Sequence, residues 1–301
     1  MMAYICNDCP RQCKVARAEF FNEQSMPGVC HSPLQPVVAR AALHQWEEPC
    51  ISGTRGSGAV FFTGCNLRCC FCQNAVISRG GTGVPITSER LRDVYFDLIE
   101  QGAHNINLVT PTPYKQAILK SLDKPLPVPV VYNCGGYESL QTIDEFAGKV
   151  QIYLPDLKYL DARLAKRYSA AADYPEVATQ AILRMYEQIG PYEMDDDGIL
   201  QKGVVIRHLI LPGCVDNTKA VIDWVRSHFA DGQVLFSLMR QYVPCGRAAD
   251  YPEINRPLTD AEYDEAEQYL FDSGIEDGFV QEKGSASDAF IPAFDGTGVN
   301  K

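Results

Sequence analysis

Residues 59–74 read AVFFTGCNLRCCFCQN. An unbroken apolar and β-branched run leads straight into four cysteines within eight positions, Cys65, Cys69, Cys70 and Cys72. A run without polar alternation is the pattern of a strand covered on both faces. The thiols therefore sit just past the end of a buried strand. Comparable runs recur at 106–110 (INLVT), 129–133 (PVVYN), 150–155 (VQIYLP), 204–210 (VVIRHLI) and 234–238 (VLFSL).

Helical patterns lie between these runs. Over 88–102, Leu91, Val94, Tyr95, Leu98 and Ile99 share one face, and Gly102 suits the stop. Helices are also expected over 139–147, 161–170, 175–189 and 217–229. A last one is capped by Thr259 and ends at Gly274. Residues 193–203 read as a polar loop or insertion. Strand–helix alternation of this kind implies right-handed crossovers and a parallel α/β sheet. Periodicity alone leaves two forms open, a doubly wound open sheet and a curved partial barrel.

The chain has 301 residues, 46% of them hydrophobic and 22% charged, which is globular composition with room for a sizeable core. No repeat or low-complexity tract is visible. The net charge is −11, with no Lys/Arg stripe, which argues against a long nucleic-acid footprint. The N-terminus lacks the apolar core of a secretion signal, and no run is long enough to cross a bilayer. A cytoplasmic location is expected. In that reducing compartment twelve cysteines read as metal ligands or buried thiols rather than disulfides.

Parallel α/β folds collect ligands at the C-terminal ends of their strands. The unusual residues of this chain fall there: Cys65–Cys72, then TPTPY (110–114), NCGGYE (133–138), PDLKY (155–159), LPGCVDN (211–217) and MRQY (239–242). Cys65, Cys69 and Cys72 have the spacing C-x3-C-x2-C. Structural zinc normally takes four ligands, often from two paired knuckles. Three thiolates can instead hold three irons of a cubane 4Fe–4S cluster and leave the fourth open. Cys70 adjoins Cys69 and cannot easily reach the same metal. The competing readings are a zinc knuckle or a chance cluster of core cysteines.

This loop, with an aromatic residue before its last cysteine, resembles the radical S-adenosylmethionine superfamily. WEEPCISG, GSGAVFFTGCNLRCCFCQN, NINLVTPTPY, YNCGGYE, YLPDLKY, HLILPG, LMRQYVP and PEINRPLT together resemble its pyruvate formate-lyase-activating-enzyme-like branch, in particular members with a cysteine-rich N-terminal segment. The resemblance covers nearly the whole chain. It implies a partial (β/α)6 TIM-like barrel over residues 51–301, behind a cysteine-rich segment at 1–50. It also implies a 4Fe–4S cluster whose open iron binds the amino and carboxylate groups of S-adenosylmethionine. One electron would then cleave that molecule to methionine and a 5′-deoxyadenosyl radical. The radical would abstract hydrogen, from a glycine of a partner glycyl-radical enzyme in the branch's own pattern. A one-electron donor such as flavodoxin or ferredoxin is the implied partner, with no membrane or nucleic acid. Other readings are radical modification of another peptide, a small molecule or RNA, and a non-catalytic zinc-binding scaffold.

The resemblance also assigns site residues. Phe71 takes the aromatic position near the adenine. Asp156 and Lys158 match a D-x-K segment near S-adenosylmethionine. The superfamily's Gly-Gly-Glu-like segment after strand two is replaced here by TPTPY, so Thr110 and Thr112 become the candidate acceptors. CGGYE comes one strand later and offers Asn133 or Glu138 to the ribose. Of Arg207 and His208 one must point inward. An inward Arg207 suits a carboxylate, whereas a lone strand histidine more often reads as structural. Gln241 and Tyr242 complete the candidates. Cys70, Cys134, Cys214 and Cys245 read as buried thiols, with Cys134 nearest the mouth.

Cys6, Cys9, Cys13 and Cys30 form C-x2-C-x3-C-x16-C, with His31 adjoining as a substitute ligand. A short segment without its own core suits stapling by metal. Zinc and a second iron–sulfur cluster both fit, against the alternative of reduced thiols packed on the barrel.

Overall fold

The computed structural model describes residues 4–20, 28–79, 81–281 and 291–300. In chain order the elements are β1 (Val37–His44), α1 (Pro49–Ser52), β2 (Ser57–Phe62), α2 (Ala75–Ser78), β3 (Val84–Pro85), α3 (Ser88–Glu100), β4 (Ile106–Val109), α4 (Lys115–Ser121), β5 (Val130–Cys134), α5 (Leu140–Glu145) and β6 (Ile152–Pro155). There follow α6 (Ala162–Ser169), α7 (Tyr174–Ile189), β7 (Glu193–Met194), β8 (Leu200–Leu209), α8 (Val215–His228), β9 (Leu235–Met239), α9 (Asp260–Ser273) and β10 (Gly278–Val280).

The six expected strands are β2, β4, β5, β6, β8 and β9, and they pair in parallel in that order. A short β10 extends one edge in parallel with β9. At the other edge β1 runs antiparallel to β2 and carries β3. The sheet is that of a partial TIM-like barrel, with open edges at β10 and β3. α9 forms where expected. Thr259 Oγ1 accepts from the Glu262 amide, Glu262 reciprocates on the Thr259 amide, and Gly274 at φ +75° ends the helix.

Two expectations need correcting. Residues 193–203 are not a loop but a hairpin, with Glu193 opposite Lys202 and Met194 opposite Leu200. Asp195 makes the turn by accepting from the amides of Asp197 and Ile199. Its polar composition hides a strand that starts four residues before the apolar run. Second, residues 37–44, which the sequence division groups with the aperiodic N-terminal segment, belong to the sheet as β1. The helix α4 and the short α1 have no counterpart in the sequence reading.

The faces of the strands explain the apolar runs. Tyr132, Tyr153, Val204, Ile206 and Phe236 face the helices in the main core. The alternating residues Val131, Ile152, Leu154, Val205 and Leu235 face inward and pack on Cys50 and Ile51 of α1. α1 thus stops the lower lumen. Two residues further along the same strands, the inward face turns polar: Asn133, Arg207 and Ser237, with Asp156 just past β6, all line an open cavity.

Candidate active site

The cavity has a volume of about 560 Å³ and lies at the C-terminal ends of the parallel strands. Cys65, Cys69 and Cys72 line it, with Phe71, Thr110, Asn133, Cys134, Asp156, Lys158, Arg207 and Gln241. Most of the residues singled out from the sequence therefore share one space.

The loop carrying the cysteines is pinned from behind. The amides of Arg68 and Cys70 donate to the carbonyls of Ser169 and Tyr168 at the end of α6. Asn66 Nδ2 donates to the Tyr137 carbonyl at 2.5 Å. This turns Cys70 into the core, while its neighbour Cys69 faces the cavity. Ser169 Oγ lies 3.0 Å from Cys69 Sγ as a donor, and Tyr159 contacts the same hydroxyl at 2.9 Å. Burial pushes the thiols of Cys65 and Cys72 upward, with the Cys69 sulfur adding to both and Lys158 opposing.

Among the described residues no three His, Cys, Asp or Glu side chains converge closely enough to hold one metal ion. Three cysteines facing one cavity beside the cation Lys158 suit a cluster held by three thiolates.

Arg207 organises the polar floor. Its Nε donates to Asp156 Oδ1 at 2.9 Å, Nη1 to Glu47 Oε2 at 3.0 Å and Nη2 to Asn133 Oδ1 at 2.7 Å. Asn133 Nδ2 donates to Glu47 Oε1 at 3.2 Å, and Lys158 Nζ to Asp156 Oδ2 at 2.6 Å. Burial alone would raise the Asp156 carboxyl, but Arg207 and Lys158 outweigh it and hold it below its ordinary value. Burial pushes Glu48 up to about 7, against the pull of Arg207. Pleating turns His208 the other way. Its Nδ1–H donates to the Leu157 carbonyl at 2.7 Å, its Nε2 meets Thr218 Oγ1 at 3.0 Å, and burial lowers its pKa to about 4. It is a neutral structural residue.

Sequence reasoning missed Glu47, Glu48, Ser169 and Ser237 as site residues. Glu47 and Glu48 precede the first parallel strand, where the rule about strand ends gives no signal. They enter the lumen because α1 folds back into it. Ser169 ends a helix and betrays nothing by spacing.

The structure leaves other candidates outside the cavity. Tyr242 is buried, donates to the Ile254 carbonyl at 2.7 Å and packs against Phe71. Glu138 turns away, accepting from Thr112 Oγ1 at 2.6 Å and from the Tyr132 hydroxyl at 3.2 Å. Burial pushes its carboxyl up to about 8. A pKa raised on folding favours the protonated native state, so this contribution is full below the unfolded value near pH 4.5 and fades as pH rises towards 8. Glu138→Gln is expected to flatten the loss of stability between pH 5 and 8. Urea midpoints across that range check it, and an unchanged slope refutes it.

Backbone geometry at the rim is also unusual. Thr110 has φ +60°, a rare conformation for a β-branched residue and a common one at functional sites. Gly136 has φ +76°, and a Cβ there would collide with the Asp156 carbonyl oxygen. Gly136→Ala is therefore expected to cost more than about 1 kcal/mol and to displace Asp156. A thermal melt with less than a degree of change would contradict this.

The N-terminal cysteines also come together. Cys6, Cys9, Cys13 and Cys30 line a small separate pocket that shares Asn66 with the cysteine loop. His31 is engaged instead by Arg68 Nη2 at 3.1 Å.

No protein-family model matches the chain. The Methanocaldococcus jannaschii protein MJ0674 is 28% identical over 278 residues, covering 88% of this chain and 73% of the relative. Streptococcus suis SuiB bound to S-adenosylmethionine superposes with a TM-score of 0.53 and 14% identity, covering 73% of this chain and 49% of SuiB. HydG, a maturase of the FeFe-hydrogenase, gives a TM-score of 0.50 and 14% identity, covering 77% of this chain and 53% of HydG. The chain spans about half the length of either structure. SuiB and HydG thus share this chain's fold, a partial TIM-like barrel.

Proposed function

We propose that this chain is a radical S-adenosylmethionine enzyme acting on a glycine of a partner protein. The observation that carries the reading is the single cavity shared by Cys65, Cys69 and Cys72 with the Asp156–Lys158–Arg207–Asn133 layer. The three thiolates would hold three irons of a 4Fe–4S cluster. When bound, that cluster supplies the electron that splits S-adenosylmethionine and the open iron that positions it.

The chain's own residues do the remaining work. Lys158 and Arg207 line the cavity and suit a carboxylate, Arg207 through its planar fork. Phe71 and Leu67 present apolar surface beside the thiols and exclude water there. Ser169 holds a proton towards Cys69 Sγ. Such a bond stabilises the more negative reduced cluster, since hydrogen bonds to cluster sulfurs set the potential. Ser169→Ala is expected to move the cluster potential to a more negative value. A redox titration showing no change, or a positive shift, would count against this role.

A glycine substrate follows from the resemblance to activating enzymes. The solved complex of SuiB with the precursor peptide SuiA, at TM-score 0.52, favours a second reading, modification of a different peptide. The reductant is proposed to be of the flavodoxin or ferredoxin class and the location cytoplasmic. Among the described residues no helix is long and apolar enough to cross a membrane. The N-terminal cysteines are read as a second metal site.

The test is anaerobic reconstitution with iron and sulfide, followed by dithionite and S-adenosylmethionine. Production of 5′-deoxyadenosine is expected, with deuterium transfer from a peptide carrying deuterated glycine. Zinc alone with no visible absorption would support the scaffold reading. Cleavage without deuterium transfer from glycine would move the substrate to another class.

A further inference from the structure

Glu48 stands at the N-cap of α1, where an acidic side chain ordinarily accepts from the first helical amides. It does not do so here. Its carbonyl accepts from the amides of Ile51 and Ser52, while its side chain makes no cap hydrogen bond and lines the cavity instead. Glu48 is 8% exposed, and its Oε2 has no hydrogen-bond partner. Arg207 Nη1 is 3.9 Å away, beyond hydrogen-bond reach. The donors of Arg207 are already committed, Nε to Asp156, Nη1 to Glu47 and Nη2 to Asn133. The other groups that act on the carboxyl are Glu47 beside it and the uncharged Ser237 of β9, and Cys50 of α1 feels its charge in turn. A buried acceptor left without a donor is costly, so its retention needs a reason.

Charge in the cavity wall is unbalanced in the same sense. Three carboxylates line it, Glu47, Glu48 and Asp156, against two cations, Lys158 and Arg207. Lys158 is bonded to Asp156 at 2.6 Å. With every group ionised one negative charge is left over, and Glu48 is the carboxylate without a donor. Burial pushing its carboxyl up to about 7 expresses that imbalance, since taking up a proton removes it. A bound cation carrying N–H groups removes it another way, pairing the charge and giving Oε2 its missing donor. A neutral hydroxyl supplies the donor but leaves the charge, and an anion does neither. The cavity, at about 560 Å³, has room for such a group.

We infer that Glu48, with Ser237 beside it, seats a primary ammonium or guanidinium group of a molecule bound in the cavity. This deepens the proposed function and rests on its placing the reaction in this cavity. Two sources can bring the group. One is the amino group of S-adenosylmethionine. The other is the reacting molecule, through a free amine or a lysine- or arginine-like side chain. In the second case a peptide substrate carries a basic residue close to the reacting one.

The test is calorimetric titration of the anaerobically reconstituted full chain without reductant, so that nothing is turned over. Wild type is compared with Glu48→Gln. The probes are S-adenosylmethionine alone, then n-butylamine and butylguanidine with S-adenosylmethionine present, and n-butanol as the neutral control. At pH 8 the variant should bind at least one cation source about tenfold more weakly, with n-butanol unchanged. Weaker S-adenosylmethionine assigns the seat to its amino group, and weaker amines alone assign it to the reacting molecule. At pH 6 cation binding should release a proton from the wild type, since pairing ionises Glu48, and should release none from the variant. The urea midpoint at pH 8 should rise in Glu48→Gln, because a buried carboxylate without a donor is gone. A fall would make Glu48 a structural partner of Arg207 and overturn the inference. If S-adenosylmethionine binds both proteins equally and the amines bind no better than n-butanol, the seat is refuted and the proposed function stands. If the amines bind and depend on Glu48 while S-adenosylmethionine does not bind, the proposed function fails and the seat stands. Binding of neither refutes both.

Discussion

In Cys69→Ala, 5′-deoxyadenosine formation is expected to fall to that of the protein-free blank while the barrel stays folded. The side chain faces the cavity, so its loss leaves no gap in the main core. Cys70, one residue away, cannot substitute. It is buried, and the loop holding it is fixed by its own amide to the Tyr168 carbonyl at 2.8 Å. Two thiolates remain, and a cubane held by two protein ligands has no defined open corner at which to orient a substrate. Anaerobic product analysis by chromatography checks this, with iron content measured on the same sample. Undiminished turnover would remove Cys69 from the ligand set and take the proposed chemistry with it.

Arg207→Ala is expected to cost about 3–5 kcal/mol of stability, the usual result of removing one partner from a buried ion network. Its guanidinium touches Asp156 and Glu47 and lies 3.9 Å from Glu48, and its side chain is only 14% exposed. The variant leaves three carboxylates in the floor with Lys158 alone to balance them. The pH dependence gives a sharper signature than the magnitude. In the wild type the Asp156 pKa is depressed, so its contribution is present above the unfolded value near 3.8 and is lost as pH falls below it. Without Arg207, burial dominates, the pKa rises, and stability is instead lost as pH increases. Urea midpoints at pH 5 and 8 should therefore favour pH 5 in the variant far more than in the wild type. Equal differences would show that Arg207 is not the partner that keeps Asp156 charged. Arg207→Lys is expected to recover only part of the loss, since a point charge cannot reach Asp156, Glu47 and Asn133 together.

The strands β2, β4, β5, β6, β8 and β9 were legible because both faces of each are covered, one by helices and one by α1 or the cavity. Unbroken apolar runs are the direct mark of that. β1 was not legible, since its alanines and Arg40 blur the pattern and it pairs at an edge. The hairpin at β7 was hidden by a turn built from aspartates. The cysteine trio could be read as a group from spacing because one short loop delivers all three side chains to one cavity. Asp156, Lys158, Asn133 and Arg207 could be found because they end strands. Glu138 was misleading for the opposite reason. Its Gly-Gly-Tyr-Glu context resembles a binding segment, but the chain reverses at Gly136 and turns the carboxyl under Thr112. Glu47 and Glu48 were beyond reach, because only the folding back of α1 brings them beneath Arg207.

That small helix decides more than packing. With Ile51 buried among side chains of four strands, α1 closes the lower end of the lumen. The chamber is a cul-de-sac. On the proposed function, a partner's reacting carbon would therefore enter from the opposite end, over the cysteine loop.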